Sequence, residues 1–192
     1  MIYYNLVDEK TIILVSEIIN KYYQKDSLSY KYYVGHVNAV TQKAFEIAIQ
    51  KPDIAIDFKL LYMMSMLHDI GICKTHAPDI GCNGDLPYLS HANEGKKILE
   101  NEGFASIASI CEKHVGVGIS RQEIIEKNLP LEAKDMFPET IEEKIVCVAD
   151  KFFSKKQGKL QEEKPLEKVR KKMLNLGTDK LERFDALARE LL

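Results

Sequence analysis

The chain has no long hydrophobic run. Its longest apolar stretch near the start, Thr11 to Val15, is soon interrupted by Glu17. Nothing approaches the roughly 20 apolar residues that a membrane-spanning helix needs. A basic region ahead of that stretch and a small-residue cleavage site are both missing, so it does not read as a signal peptide. There is little net charge: 27 Lys and Arg against 29 Asp and Glu leave −2. This balance argues against broad electrostatic docking on nucleic acid or an anionic membrane. A small phosphorylated ligand stays open, because it needs only a local cluster of cations or metals. Cysteine is sparse, and Cys73, Cys82, Cys111 and Cys147 form no Cys-x-x-Cys pair. Reduced thiols in a cytoplasmic protein are the expectation. Internal repeats, low-complexity tracts and hairpin signals are also absent, which leaves an all-α fold. The 192 residues suit one compact domain.

What is present is helical periodicity. Residues 9–23 carry Ile12, Ile13, Ile19 and Tyr23 at near-helical spacing. Residues 30–50 carry Tyr33, Val37, Val40, Ala44, Ile47 and Ala48, and Pro52 ends the run. A Met-rich helix is expected over 57–70, with Gly71 as its stop. Residues 72–87 read as a breaker-rich loop, long enough to form a lid. Helices follow near 88–102 and 104–114, the second stopped by Gly116 and Gly118. Ser120 and Glu123 make a capping box for a short helix over 120–127. Pro138 opens a strong helix through Ile141, Ile145, Val148 and Phe153. The charged region 156–192 holds two amphipathic helices separated by Gly177-Thr178. They are expected to pack onto the domain, with a homodimerisation arm as the second reading.

The chemistry concentrates in His36, His68, Asp69, His91, His114 and Asp150. His36 shares a stripe with Tyr33, Val37 and Val40; His68 shares one with Leu61 and Met64. His91 precedes Gly95, Ile98 and Leu99 on one face, and His114 follows Ile107, Ile110 and Cys111. Asp150 lies between Val146 and Phe153. Polar groups on different helices thus aim at one apolar interior. Asp69, turned about 100° from His68, meets the site from the stripe's edge. A lone histidine on an apolar face is usually a satisfied core residue. Four histidines with two aspartates each need a partner, and each aspartate needs a cation. No Lys or Arg shares these stripes, so a divalent metal is the simplest common partner: Fe, Mn, Zn or Ni, with Mg also admissible. Six ligands exceed what one ion takes while leaving room for water. Asp69 as a bridge divides them into His36, His68, Asp69 and Asp150 for one ion, and Asp69, His91 and His114 for the other. Two ions about 3.5–4 Å apart form a clamp for displacement at phosphorus.

The order His36, His68-Asp69, Asp150 resembles the HD superfamily of metal-dependent phosphohydrolases. His68-Asp69-Ile70-Gly71 matches the HDIG form of its signature, and the resemblance covers about residues 30–155. The blocks around His91, His114 and Asp150 are similar to those of small bacterial and archaeal HD proteins. The resemblance implies a helical bundle with a central metal site. It also implies hydrolysis of a phosphate ester or anhydride, of a nucleotide or dinucleotide. His91 and His114 resemble the extra ligands of two-metal members. Cyclic di-GMP hydrolysis is not implied, because the Gly-Tyr-Pro block and paired histidines of those members are missing. Two other readings stand beside hydrolysis: a nucleotide-sensing module without turnover, and a di-iron oxygenase on the same scaffold.

Lys74, Lys113, Arg121 and Lys151 neighbour ligands or loops and are candidates for binding substrate phosphate. Each alone is more simply a solvated surface cation. Lys74 is the best single candidate, catalytic with Asp69, because it follows the metal helix. It would replace the Lys that many relatives carry directly after the signature Gly, where Ile72 stands here. His76 is a possible proton donor and more simply a surface residue. Met63, Met64 and Met66 read as core filling.

Overall fold

A computed structural model describes residues 5–155 and 158–192. The protein is all-α apart from one minute hairpin. Helix α1 (Glu9–Tyr22) is capped by Asp8, which accepts from the Thr11 amide. Its inward stripe is Thr11, Val15, Ile18 and Ile19, whereas Ile13 is half exposed. The spacing of 4 and 3 residues keeps that stripe on one face, so Ile13 falls outside it. Helix α2 (Leu28–Ile49) starts from the Ser27 cap and buries Tyr33, His36, Val37, Val40, Ala44, Ile47 and Ala48, the expected stripe. It packs on α3 (Phe58–Leu67) and α8 (Ile141–Lys151), and these three helices enclose the core. Met63, Met64 and Met66 are buried there.

Several expectations need correction. Helix α3 ends at Leu67, not 70: His68 is its C-cap, and Ile70–Lys74 forms a tight 3₁₀ turn. Carbonyls on either side of this break find other donors. Tyr33 Oη donates to Met66 O at 2.7 Å, and Tyr23 Oη donates to Ile70 O at 3.1 Å. The segment beyond contains β1 (His76–Ala77) paired antiparallel with β2 (Cys82–Asn83), turned at Gly81 with φ +78°. Pro78 and a glycine that tolerates positive φ make that reversal possible. The run 104–114 is split into α5 (Ala105–Ala108) and α6 (Ile110–Lys113) at Ser109, whose hydroxyl donates to Glu143.

Helix α4 (His91–Asn101) lies against the 70–74 turn. A Cβ on Gly71 would collide with His91 O and Gly95 N. Gly71 therefore serves close backbone approach and does not stop a helix. Helix α7 (Arg121–Glu126) is capped by Ser120, but Glu123 turns to Lys127 and Lys180 and leaves half the expected box unmade. The complete capping box is at α8, between Thr140 and Glu143, two residues after Pro138. Helices α9 (Leu166–Leu176) and α10 (Thr178–Leu191) bury Val169, Met173, Phe184 and Leu191 against the rest. Lys180 anchors α10 by donating to Gly118 O and Glu123 Oε2. The boundary expected at 156 falls outside the described residues.

Candidate metal centre

Helix termini deliver most of the cluster. His36 comes from the middle of α2, His68 from the end of α3 and Asp69 from the residue after it. His91 opens α4, His114 follows α6, and Asp150 lies in the last turn of α8. A residue at a helix end can turn its side chain inward while the chain reverses outside the site. Asp69 has φ −107° and ψ 11°, neither helical nor extended, and is fully buried.

Asp69 is the hub, and its two oxygens face different partners. Oδ2 lies 3.2 Å from His36 Nε2 and 3.0 Å from His68 Nε2. Oδ1 lies 3.4 Å from both His91 Nε2 and His114 Nε2. Asp150 Oδ1 completes the first set, 3.1 Å from His36 and 3.7 Å from His68. Two groups result, each able to hold an ion: His36, His68, Asp69 and Asp150, and Asp69, His91 and His114. Within each group the donor atoms lie within 4.8 Å of one another.

The donor set fits divalent metal. Nδ1 of His68 lies 2.8 Å from Ser65 O, Nδ1 of His91 is 2.6 Å from Tyr88 O, and Nδ1 of His114 is 3.0 Å from Ile110 O. A carbonyl can only accept, so these three rings carry a proton on Nδ1 and aim Nε2 inward, where the neutral ring presents a lone pair. Such outer hydrogen bonds orient metal-binding imidazoles. His91 Nε2 and His114 Nε2 then face each other across 3.3 Å with a lone pair each, which is repulsive without a cation. His36 Nε2, His68 Nε2 and Asp69 Oδ1 are buried without hydrogen-bond partners. Buried polar atoms are seldom orphaned in this way.

The electrostatics agree. Burial alone would raise the Asp69 carboxyl, but Lys155, His68, His114 and His36 hold it well below the usual range. Asp150 behaves likewise, with Lys151 as the leading counter-charge to its burial. Burial works against charge on His68, yet Asp69 and Asp150 outweigh it and lift the imidazole to about 9. His91 goes the other way, lowered to about 4 chiefly by burial. The anionic side of the cluster thus calls for positive charge, as proton or metal, while His91 stays a neutral donor.

A cavity of about 880 Å³ opens over the cluster, walled by Ala77 and Ile80 of the hairpin, Tyr88, Val115, Phe153 and Lys155. Among the expected phosphate-binding cations, Lys151 lines it. Its ammonium is engaged by Asp150 Oδ2 at 2.6 Å and His114 O at 2.8 Å. Lys74 is exposed and stands outside the cavity wall. Lys113 pairs with Glu139 and Glu143, and Arg121 is exposed beside Asp135, both away from the cavity. His76 is exposed on the hairpin. Lys155 was not singled out by the sequence, although its Nζ lies 2.6 Å from Asp69 Oδ2. The signal available was a lysine five positions after Asp150, the same reasoning that picked out Lys74.

Comparison with known proteins agrees with this geometry. The HD domain family matches residues 33–154. The chain belongs to the HD domain family, whose superfamily comprises metal-dependent phosphohydrolases. An uncharacterized protein of Methanocaldococcus jannaschii is 38% identical over 120 residues, 61% of this chain and 63% of that one. Two proteins named tRNA (cytidine(56)-2'-O)-methyltransferase are also similar. The one from Thermoplasma volcanium is 35% identical over 78% of this chain and 40% of its own length. The one from Picrophilus torridus is 37% identical over 63% of this chain and 31% of its own length. The chain thus spans under two thirds of each of these relatives. No solved structure matches. Among the described residues, no helix is long and apolar enough to cross a membrane.

Proposed function

We propose that this protein is a two-metal phosphohydrolase that cleaves a phosphate ester or anhydride, with a nucleotide or dinucleotide as substrate. The observation that carries the reading is the division of Asp69, one oxygen toward His36 and His68 and the other toward His91 and His114. A carboxylate in that position suits a bridge between two ions. His36, His68, Asp69 and Asp150 would hold one ion, and Asp69, His91 and His114 the other. When bound, the pair supplies an acidified water and a clamp on the oxygens around phosphorus.

The remaining roles belong to the protein's own groups. The carbonyls of Ser65, Tyr88 and Ile110 lock three imidazoles with Nε2 inward. Lys151 holds Asp150 by Oδ2 and leaves Oδ1 toward His36. The cavity has the size of a nucleotide site. Tyr88 and Phe153 in its wall offer aromatic faces on which a base can stack. Lys74, Lys113 and Arg121 remain candidates for a bound substrate only if they reach the cavity mouth. The names of two relatives concern tRNA, which places RNA-derived phosphate esters on the substrate panel beside nucleotides and dinucleotides.

The test combines metal analysis with turnover. Purified protein loaded with Mn or Fe should hold up to two ions per chain and release phosphate or a nucleotide from at least one member of the panel. Asp69→Ala should lose both metal and activity. Fully loaded protein that turns over nothing on the panel would overturn hydrolysis. An active Asp69→Ala variant would remove the bridge.

A further inference from the structure

We infer that Lys180, on α10 and beyond the matched family segment, is a positioning residue for the metal centre. It holds the turn after His114 in the shape that seats this histidine for the second ion. This deepens the two-metal reading and rests on it.

The turn is a strained piece of backbone. Gly116 has φ +56°, Val117 φ +58° and Gly118 φ +91°, three positive values in succession. The middle one falls on a β-branched residue, for which that region is disfavoured. Gly118, with ψ 150°, lies where essentially only glycine goes. Backbone of this kind persists only where its surroundings hold it. The shape matters because His114 directly precedes it. His114 Nε2 lies 3.4 Å from Asp69 Oδ1 and 3.3 Å from His91 Nε2. Ile110 O fixes the rotation of the ring through Nδ1, whereas the position of its backbone depends on the turn that follows.

Buried ammoniums grip both ends of that turn. Lys151 donates to His114 O at 2.8 Å, and Lys180 donates to Gly118 O at 2.6 Å. Lys180 is only 3% exposed, and Glu123 Oε2 matches its charge at 2.5 Å. A buried ammonium without such a partner would be costly. The lysine stem also runs past Gly116, where a Cβ would stand 3.6 Å from Lys180 Cε. Lys180 thus meets the turn at its end and at its middle. Without it Gly118 O would lose a buried donor, and the turn could relax toward commoner dihedrals and draw His114 away from Asp69 Oδ1. His36, His68 and Asp150 come from other helices, so the effect should fall on the ion of Asp69, His91 and His114. Lys151 cannot separate the two ions in a test, because it also holds Asp150.

Calorimetric titration of Mn into the full chain tests this, with metal content measured on each variant. Electron paramagnetic resonance gives a second readout, since two Mn ions sharing Asp69 couple magnetically and one ion gives an isolated-ion spectrum. The wild type should take two ions. Lys180→Met should keep the first and bind the second roughly 10–100-fold more weakly, the usual cost of losing an outer contact to a metal site. Lys180→Arg, which keeps a charged donor, should recover part of that loss. Leu191→Ala, at the far end of the same helix and fully buried, should melt lower yet take two ions. Two ions at wild-type affinity in Lys180→Met would overturn the inference. So would equal weakening of both ions, or the same loss in Leu191→Ala, since a loosened helix would then suffice. Should Lys180→Met not fold, Glu123→Gln keeps the lysine and weakens its hold. The second ion should then bind several-fold more weakly, and unchanged binding of it would overturn the inference. A wild type that never holds more than one ion sinks the two-metal reading, and this inference with it. Two ions regardless of Lys180 sink this inference alone. A Lys180-dependent second ion without turnover sinks hydrolysis alone.

Discussion

At the scale of single residues, charge placement can be tested away from the metal cluster. Glu143 is buried, which raises a carboxyl, yet the Glu139 amide, Lys113, Ser109 and the Thr140 amide together hold it below its ordinary value of 4.5. A carboxylate lowered on folding adds stability above its unfolded pKa, and that stability is lost as pH falls through the folded one. The wild type should therefore lose stability as pH drops below about 4.5. Glu143→Gln should be less stable at neutral pH and lose less on acidification. Urea midpoints across that range decide it, and parallel curves would refute the assignment. At this scale the cluster was legible in the sequence. Histidines and aspartates on apolar stripes have few uses, so His36, His68, His91, His114 and Asp150 could be read from periodicity. Lys155 could not, because no periodic helix holds it. Its place depends on how the chain leaves α8.

At the scale of elements, the decisive contact is between the Ile70–Lys74 turn and α4. Gly71 and Gly95 let two backbones meet there, and Gly95 also clears the Cys111 sulfur. Gly71→Ala should cost at least ~1–3 kcal/mol, the range for overpacking. It should also displace His91 from Asp69, so that metal content falls in the surviving folded protein. Chemical denaturation with metal analysis reads both effects; an unperturbed variant would show that the turn can shift freely. Helix identity and order followed from hydrophobic period and caps, but the ends did not. Helix α3 stops early because Tyr33, 33 residues away in sequence, takes the carbonyl of Met66. The hairpin His76–Asn83 is too short to leave a period-2 pattern. The α8 cap lies at Thr140 and not at Pro138 because Thr140 and Glu143 satisfy each other's amides.

At the scale of the molecule, five helices converge on one anionic cluster. Folding brings Asp69 and Asp150 together, and bound cation would oppose the cost. Ligand that binds only the folded state stabilises by mass action, about 2.7 kcal/mol at a hundredfold excess over Kd. Mn or Fe should therefore raise the melting temperature with added metal, and a chelator should lower it. In Asp69→Ala the rise should vanish. A wild type indifferent to both additions would contradict metal binding at the cluster. The C-terminal helices were legible as amphipathic elements, with Val169, Met173, Phe184 and Leu191 inward. That one of them also lines the cavity, through Lys172, follows from packing alone, since the apolar period of α9 marks only its buried face.

The tyrosines that end α3 have another consequence. Tyr23 and Tyr33 stack with centroids 4.2 Å apart and hydrogen-bond to the carbonyls of Ile70 and Met66, on either side of His68-Asp69. The chain contains no tryptophan, so its ultraviolet emission comes from tyrosine without an energy sink elsewhere. Tyr88 adds a third ring, 5.0 Å from His91. Three phenols ring the ligands, and a paramagnetic ion entering the cluster should quench them. Loss of tyrosine emission on adding Mn, absent in Asp69→Ala, would then report ion binding at the cluster.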